Sequence, residues 1–313
     1  MKQSSDNHKA LLLLLLLCFG YPGFGEDAIP PLTFTSDTGL VFVYGESKEL
    51  VYKSSSGTDL LSLLVYPIPP SLGAYIGIEG RWRDSILGRL RLETVLPLTS
   101  GIITNDDWIY GSSFSDEPDV QSDSVAFMTG WIRADFELGF PTTNGPFLFE
   151  TLVGIRYRQI SWEGWDAYQI SVIPDYNVGA IPGYVIDYRQ TWLIPWMGLT
   201  IGEQKPASII AASIRFSPWM YVVGRDVHMA REEPTTFIDV MSGGLMISGG
   251  LKGKIRLTGG LWLTGTISFD YCSGPRGDTY IYTVGSSAVS HYTDTGGAAF
   301  SMVSAYVGIS IDP

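Results

Sequence analysis

The chain has 313 residues, of which 45% are hydrophobic, 13% aromatic and only 17% charged, against about 25% charged residues in an ordinary soluble protein. Its 32 acidic residues outnumber its 20 basic residues, giving a formal net charge of −12, so no nucleic-acid partner is expected, because nucleic-acid-binding surfaces are basic. Two cysteines exclude a disulfide-rich scaffold and a four-cysteine zinc site. The apolar content excludes a disordered chain.

The first segment, residues 1–25, is typical of a secretory signal peptide. Lys2 and Lys9 give it a positive start, Leu11–Leu17 is an unbroken leucine run, and two glycines at its end suit cleavage. Its apolar core of about ten residues is half the length that a membrane-spanning helix needs, which disfavours the alternative of a signal anchor. We therefore expect a mature domain over 26–313, with 18 basic and 31 acidic side chains once two lysines and one aspartate are removed.

The rest of the chain alternates with a period of two. From Leu251 to Tyr271 the odd positions are Leu, Gly, Ile, Phe and Tyr, while the even positions are mainly Lys, Arg, Thr, Ser and Asp. The same alternation recurs over Ile132–Leu138 and Val303–Ile311. Because successive side chains of a strand point to opposite faces, each segment has one apolar wall and one polar wall. No stretch after the signal approaches the 18 apolar residues of a helical span.

Long segments of this kind predict ten strands, well above the usual strand length of about five or six residues. The predicted strands are 38–53, 60–84, 87–100, 124–140, 146–164, 183–203, 206–226, 236–250, 253–272 and 296–311. The connections alternate between tight turns, near Ser85, Thr142, Gln204 and Leu251, and long loops, which include 101–123, 165–182 and 273–295. This pattern predicts an all-β fold, a ten-stranded antiparallel up-and-down transmembrane β-barrel with long extracellular loops.

The polar wall of such a barrel faces the lumen. There Glu79, Arg81, Arg89, Arg91 and Glu93 are expected to pair across strands. A ten-stranded barrel is narrow enough to be filled by side chains, so no wide pore is expected. A large soluble sandwich is the alternative, but it leaves the clustered Arg and Glu unexplained. An exposed girdle at the membrane interface is expected of Trp162, Trp165, Trp192 and Trp196.

Three histidines, His8, His228 and His291, limit where histidine chemistry can occur. His228 follows Asp226 by two residues, so both side chains share one face of an extended strand. A carboxylate that holds one imidazole nitrogen leaves the other free to accept a proton from water, although a solvated surface pair is the alternative. His291, in a loop rich in Ser, Thr and Gly, is expected to have no catalytic role. Two histidines do not supply the usual ligands of a catalytic zinc, so no metal site is predicted.

Four segments carry a resemblance to a known family. They are Ser47–Tyr52, Asn105–Trp108, Trp192–Thr200 and Asp226–His228. In this order and spacing the sequence resembles the omptins, outer-membrane endoproteases with ten-stranded barrels, and the likeness covers about 32–311. The acidic segment Asn105–Trp108 by itself also fits a polar loop tip, since Asn and Asp favour turns.

The resemblance implies a catalytic site of two couples. Asp226 and His228 form one couple, and Asn105 and Asp107 match a second couple that is Asp-x-Asp in the family. The implied reaction is that of an aspartic-type endopeptidase without a covalent intermediate, in which a water held between His228 and Asp107 is activated. Asn105 removes one negative charge, so activity is expected to be reduced or lost. Asp106 points to the other face of an extended segment and is not expected to replace it.

The resemblance also implies a preference for basic residues, bound by a glutamate that matches Glu49 and by an aspartate at the position of Gly224. The acidic mature chain attracts cationic substrates at long range. A lumen pair between Glu49 and a nearby Lys or Arg is the alternative for that glutamate.

The implied surroundings are the outer membrane and its lipid, with the active face extracellular and cationic peptides or proteins as substrates. No cofactor is expected; a dependence on lipopolysaccharide is implied only by the family, because Arg156 and Arg158 lie in the matching strand without the surrounding pattern. The competing function is that of a catalytically impaired barrel that serves as a surface adhesin or interaction protein. Asn105 and Gly224 favour this second function.

Overall fold

The computed structural model describes residues 32–312, apart from 55–56, 83–84, 111–112, 115, 175, 177 and 286–287. The predicted signal peptide over 1–25 lies outside these residues. Among the described residues, no helix is long and apolar enough to cross a membrane. The strands are β1 (Thr33–Tyr52), β2 (Leu60–Trp82), β3 (Ile86–Pro97), β4 (Gly101–Asp107), β5 (Val120–Asn144), β6 (Phe147–Ser171), β7 (Gly179–Lys205), β8 (Ser208–Ser217), β9 (Met220–His228), β10 (Thr235–Thr258), β11 (Leu261–Thr283) and β12 (Val289–Ile311).

The strands form one closed antiparallel sheet. β1 pairs with both β2 and β12, which closes the ring. β3 and β4 lie end to end between β2 and β5, and β8 and β9 lie end to end between β7 and β10. Each of these end-to-end pairs fills one position, so the twelve strands of the described residues occupy ten positions around the barrel. The predicted ten-stranded antiparallel barrel is confirmed, with two of its strands broken in two.

Prolines explain both breaks. β8 ends at Ser217 and β9 begins after Pro218, which has no backbone N–H for the ladder. The Ser217 hydroxyl donates to the Trp219 carbonyl at 2.5 Å within this gap. β3 ends at Pro97, and the facing part of β2 contains three prolines between residues 67 and 70. The ladder therefore stops and restarts at these two places.

Three of the predicted connections differ from the observed ones. β10 continues without a turn at Leu251 to Thr258, and the turn is instead Gly259–Gly260, where Gly259 has a φ of +50°. The predicted long loop at 273–295 is mostly strand, because β11 and β12 extend into it. The segment predicted as the loop 101–123 likewise contains β4 and the start of β5. The strands thus project further than the loop pattern predicted.

The outer wall shows where the apolar band ends. On β1 the outward side chains Leu40, Phe42 and Tyr44 are exposed and apolar. The next outward residues are Glu46 and Lys48, whose charged atoms lie 2.9 Å apart. The unbroken strands and the short strands β4 and β9 continue past this band at the end opposite the termini, which we call the mouth. The mouth is bounded by the connections 53–59, 108–119, 172–178, 229–234 and 284–288.

Ion pairs line the lumen at the level of the band. Arg89 lies 2.7 Å from Glu79, 2.6 Å from Glu137 and 2.9 Å from Glu150, so the predicted pairing across strands occurs for this residue. Arg156 and Arg158 belong to a second buried group around Asp270 and point into the lumen. Neither arginine is therefore placed to hold a lipid on the outer wall.

An aromatic layer separates these ion pairs from the mouth. Trp162 and Trp192 are fully buried in the lumen and Trp196 is only 5% exposed, so the predicted girdle is wrong for all three. Of the four tryptophans named for the girdle, Trp165 alone is exposed. Trp192 packs against Phe300 at 6.2 Å between ring centroids. Buried aromatic side chains therefore plug the barrel beneath the mouth.

Candidate active site at the barrel mouth

The short strand β9 carries the Asp–His couple. Asp226 and His228 both face the lumen, and the outward residue on β9 just before them is Arg225, which pairs with Asp187 of β7 at 3.5 Å. The His228 Nε2 atom lies 2.7 Å from Asp226 Oδ2, and Asp226 is only 2% exposed. Among the described residues, His228 Nδ1 has no hydrogen-bond partner. The carboxylate thus holds Nε2 and leaves Nδ1 available at the mouth.

The His228 imidazole packs against one neighbouring ring and remains accessible to solvent. Its ring contacts the Phe237 ring at 5.0 Å between centroids, and its side chain stays 26% exposed. An apolar contact on one side with access to water on the other suits a group that exchanges protons with a bound water.

The short strand β4 carries the second couple. Asn105 and Asp107 face inward, and the Asn105 amide donates to Asp107 Oδ2 at 3.2 Å. The Ser62 hydroxyl of β2 donates to Asn105 Oδ1 at 2.9 Å, which fixes the orientation of the amide. Asp106 lies on the other face, where it accepts from Gln121 of β5 at 3.0 Å. The extended geometry therefore keeps Asp106 out of the mouth.

The two couples lie on nearly opposite sides of the barrel mouth. β4 and β9 occupy the third and seventh of the ten positions around the ring, counted from β1. Burial raises the pKa of Asp107, against which hydrogen bonds from Ser62 and Asn105 and the charge of His228 lower it. Both strands turn these side chains inward at the mouth, so the two couples lie on facing parts of the barrel wall. The arrangement can hold a water between a base and an anionic acceptor.

Glu49 lies beside the first couple. It faces inward on β1, is 3% exposed, and accepts from the Tyr66 hydroxyl at 3.3 Å. Burial raises its pKa well above the usual value, and the charges of Asp226 and Asp239 raise it further. Among the described residues, no Lys or Arg forms an ion pair with Glu49; Lys48 pairs outward instead. A lumen pair therefore does not account for Glu49.

The structure adds Asp239 to this group, a residue that the sequence analysis missed. It faces inward on β10 directly opposite Gly224 of β9, and it is 2% exposed. Its pKa is raised to about 6 by burial and by the charge of Asp226, whereas the hydrogen bond from Thr279 lowers it. The sequence places Asp239 in a predicted strand, but it does not show which residues of the neighbouring strands lie beside it.

His291 forms a second Asp–His pair, away from β9. It lies on β12 rather than in the predicted loop, and its Nε2 atom is 2.8 Å from Asp278 Oδ2. Its ring stacks on Tyr280 at 4.7 Å, and its side chain is 46% exposed. Among the described residues, no group of three or more His, Cys, Asp and Glu is arranged to hold a metal ion.

Comparison with known proteins identifies the family and the fold. The model of the Omptin family matches residues 30–312. Among solved structures, the chain is similar to the outer membrane protease OmpT from Escherichia coli, with 16% identity, a TM-score of 0.78, and coverage of 94% of this chain and 99% of that one. At this identity the likeness concerns the fold. No curated protein matches the chain.

Two other barrels are more distant. The translocator domain of the autotransporter NalP from Neisseria meningitidis has 10% identity and a TM-score of 0.37, covering 98% of this chain and 95% of its own. The toluene transporter TodX from Pseudomonas putida has 12% identity and a TM-score of 0.31, covering 91% of each chain. Both scores are too low to support an inference about this chain.

Proposed function

The chain belongs to the omptin family, which makes it an outer-membrane protease at the level of the family, and we propose that it is an endopeptidase that cleaves next to basic residues. The observation that carries this proposal is the Asp226–His228 couple facing Asp107 across the mouth. In the proposed orientation the mouth opens to the cell exterior and the termini lie on the periplasmic side.

The proposed reaction uses a water molecule as the nucleophile. His228 Nε2–H donates to Asp226, so the Nδ1 lone pair accepts a proton from a water that Asp107 orients. The water oxygen bonds to the peptide carbon as the carbonyl electrons move to oxygen. The imidazolium then gives its proton to the amide nitrogen while the C–N bond breaks. Asp226 stabilises the imidazolium between these two steps.

Asn105 has a positioning role in this proposal. Its amide holds one oxygen of Asp107, and the hydrogen bond from Ser62 keeps that amide from rotating. The site therefore contains one anionic acceptor for the water, with a neutral neighbour at the place where the resemblance implies a second carboxylate. We expect a working site with a lower rate, which agrees with the expectation from the sequence.

The test of the function is peptide cleavage by the refolded, full-length mature barrel. A fluorogenic peptide with a central Arg or Lys should be cleaved, and a peptide with citrulline in that place, which is neutral but shaped like Arg, should be cleaved poorly. Chelators should have no effect on the rate. If the folded barrel cleaves neither peptide, the protease proposal is wrong and a surface-interaction role takes its place.

Substitution of Asn105 by Asp is expected to raise kcat about tenfold at pH 8. The added negative charge faces the imidazolium that forms during the reaction and stabilises it. Because two adjacent carboxylates cannot both ionise easily, and burial already raises the pKa of Asp107, the pair retains a proton at lower pH. The gain should therefore shrink as the pH falls from 8 towards 5, which a pH–rate profile measures.

The matched control for this change is Thr104→Asp, which adds the same charge to the outward face of the same strand. It should leave kcat unchanged across the pH range. If Asn105→Asp gives no gain at pH 8, the hydrogen bond from Asn105 to Asp107 is itself the competent arrangement, and the expectation of a weakened site is wrong.

A further inference from the structure

Three buried carboxylates meet beneath the mouth without a cation. Glu49, Asp226 and Asp239 come from three different strands, and each is at most 3% exposed. The charges of Asp226 and Asp239 act on Glu49, and that of Asp226 acts on Asp239. Among the described residues, no Lys or Arg pairs with any of them, and only Asp226 has His228 as a partner. Buried like charges are unfavourable unless a cation joins them.

Asp239 fills the space above a glycine on the neighbouring strand. A Cβ atom built on Gly224 would lie 3.5 Å from Asp239 Oδ2 and 3.5 Å from the Tyr188 hydroxyl. The carboxylate thus reaches from β10 over the position where the resemblance implies an aspartate and the chain has none. Gly296 of β12 makes room on the other side, since a Cβ atom there would come within 2.7 Å of Asp239 Oδ1.

One oxygen of Asp239 is held and the other is free. The Thr279 hydroxyl donates to Oδ1 at 2.6 Å, which fixes the carboxylate in one orientation. Within the described residues Oδ2 accepts no hydrogen bond, and Glu49 likewise uses only Oε2, which accepts from Tyr66. Two carboxylate oxygens therefore remain available from β1 and β10.

Flat aromatic walls lie next to these oxygens. Tyr66 and Tyr188 stack with their ring centroids 4.0 Å apart, and the Gln190 amide donates to the Tyr188 hydroxyl at 2.8 Å. A planar cation benefits both from two carboxylates and from an aromatic face, which favours a guanidinium over the more strongly hydrated ammonium group.

We infer that Asp239, together with Glu49, binds the cationic side chain of the substrate and is the specificity-determining residue that supplies from β10 the charge that Gly224 lacks. This inference rests on the proposed endopeptidase function and assigns its preference to a pair of carboxylates on β1 and β10. The pair binds Arg more tightly than Lys, and the Thr279 hydroxyl holds Asp239 in the binding orientation.

The experiment compares Asp239→Asn with Asp187→Asn in the refolded mature barrel. Asp187 lies on the outward face of β7 and pairs with Arg225, so its substitution removes the same charge outside the lumen. For Asp239→Asn, kcat/KM for the Arg peptide should fall about 30-fold or more, as expected when one partner of a buried charge pair is removed. The citrulline peptide should change by less than about threefold, and Asp187→Asn should change neither peptide.

A relocated carboxylate separates a binding role from a structural one. In Asp239→Ser combined with Gly224→Asp, the acid moves to the strand beside its original place, and most of the lost Arg preference should return. A fall of equal size for the Arg and citrulline peptides, with no recovery in this double variant, would overturn the inference.

A binding measurement makes the inference independent of turnover. Agmatine, which carries a guanidinium group, should bind the folded wild-type barrel in a calorimetric titration and bind at least tenfold more weakly to Asp239→Asn. If the wild-type barrel cleaves the Arg peptide but Asp239→Asn binds agmatine as tightly as the wild type, the binding role of Asp239 is wrong and the protease proposal stands. Absence of cleavage with agmatine binding that depends on Asp239 would instead reject the protease proposal and keep the cation pocket.

Discussion

Replacing His228 with alanine is expected to lower kcat for the Arg peptide by about 10³-fold, with little change in KM. His228 is the one described imidazole held by a buried carboxylate at the mouth, with Nδ1 free to accept the proton of the attacking water. Without it the water must be activated by bulk solvent. KM should stay nearly constant because the proposed substrate pocket is formed by Glu49 and Asp239. Steady-state kinetics on the refolded barrel measure both constants.

The chain offers a matched control in its second Asp–His pair. His291 lies 2.8 Å from Asp278 but on the exposed end of the β11–β12 hairpin. His291→Ala should therefore keep full activity and fold to the same barrel as the wild type. A loss below tenfold for His228→Ala, or an equal loss for both variants, would show that His228 is not the base.

Replacing Asp270 with asparagine is expected to destabilise the barrel by about 3–5 kcal/mol. Asp270 is 1% exposed and lies 2.9 Å from Arg156 and 2.7 Å from Arg158. Arg133 completes the group at 3.9 Å. These three arginines are balanced by three carboxylates, since Glu93 and Asp135 pair with Arg133 as well. The substitution leaves one positive charge unmatched among three arginine side chains that are each at most 7% exposed.

Unfolding in urea, followed by tryptophan fluorescence of the barrel in lipid vesicles, measures this loss. Glu203→Gln is the control, because Glu203 pairs with Lys205 at an exposed turn where both side chains are near half exposure. It should change the free energy of unfolding by less than about 1 kcal/mol. A similarly small change for Asp270→Asn would mean that water enters the lumen and screens the arginines.

The sequence was sufficient where the chemistry depends on alternation along one strand. Spacing by two places Asp226 and His228 on one face of β9, and it separates Asp106 from Asp107 on β4. The clustered charges at Glu79 and Arg89 belong to facing strands, and they pair as predicted. These features need only the rule that neighbouring side chains point to opposite sides of a strand.

The sequence was insufficient to predict which side chains face inward where both faces of a strand are apolar, and to place a turn where the alternation continues through it. On β7 the residues around Trp192 and Trp196 are apolar on both faces, so periodicity does not show which face is inside. The turn at Gly259–Gly260 is followed by a one-residue register shift between Arg256 and Thr258, so odd positions face odd positions in the rest of the hairpin, as in the pair Ile255–Leu263. The alternation from Leu251 to Tyr271 therefore reads as one strand, although a hairpin divides it.

By itself, the sequence determined the barrel, its ten strand positions and which side chains within each short candidate segment share a face, because these follow from periods and spacings within single strands. Only the tertiary structure decided which segments face each other. Asp107 and His228 are 121 positions apart and both face inward at the mouth because the sheet closes on itself. Asp239 joins Glu49 and lies over Gly224 because of the register between strands. Closure and register join residues that are distant along the chain, so no pattern within one strand reveals them.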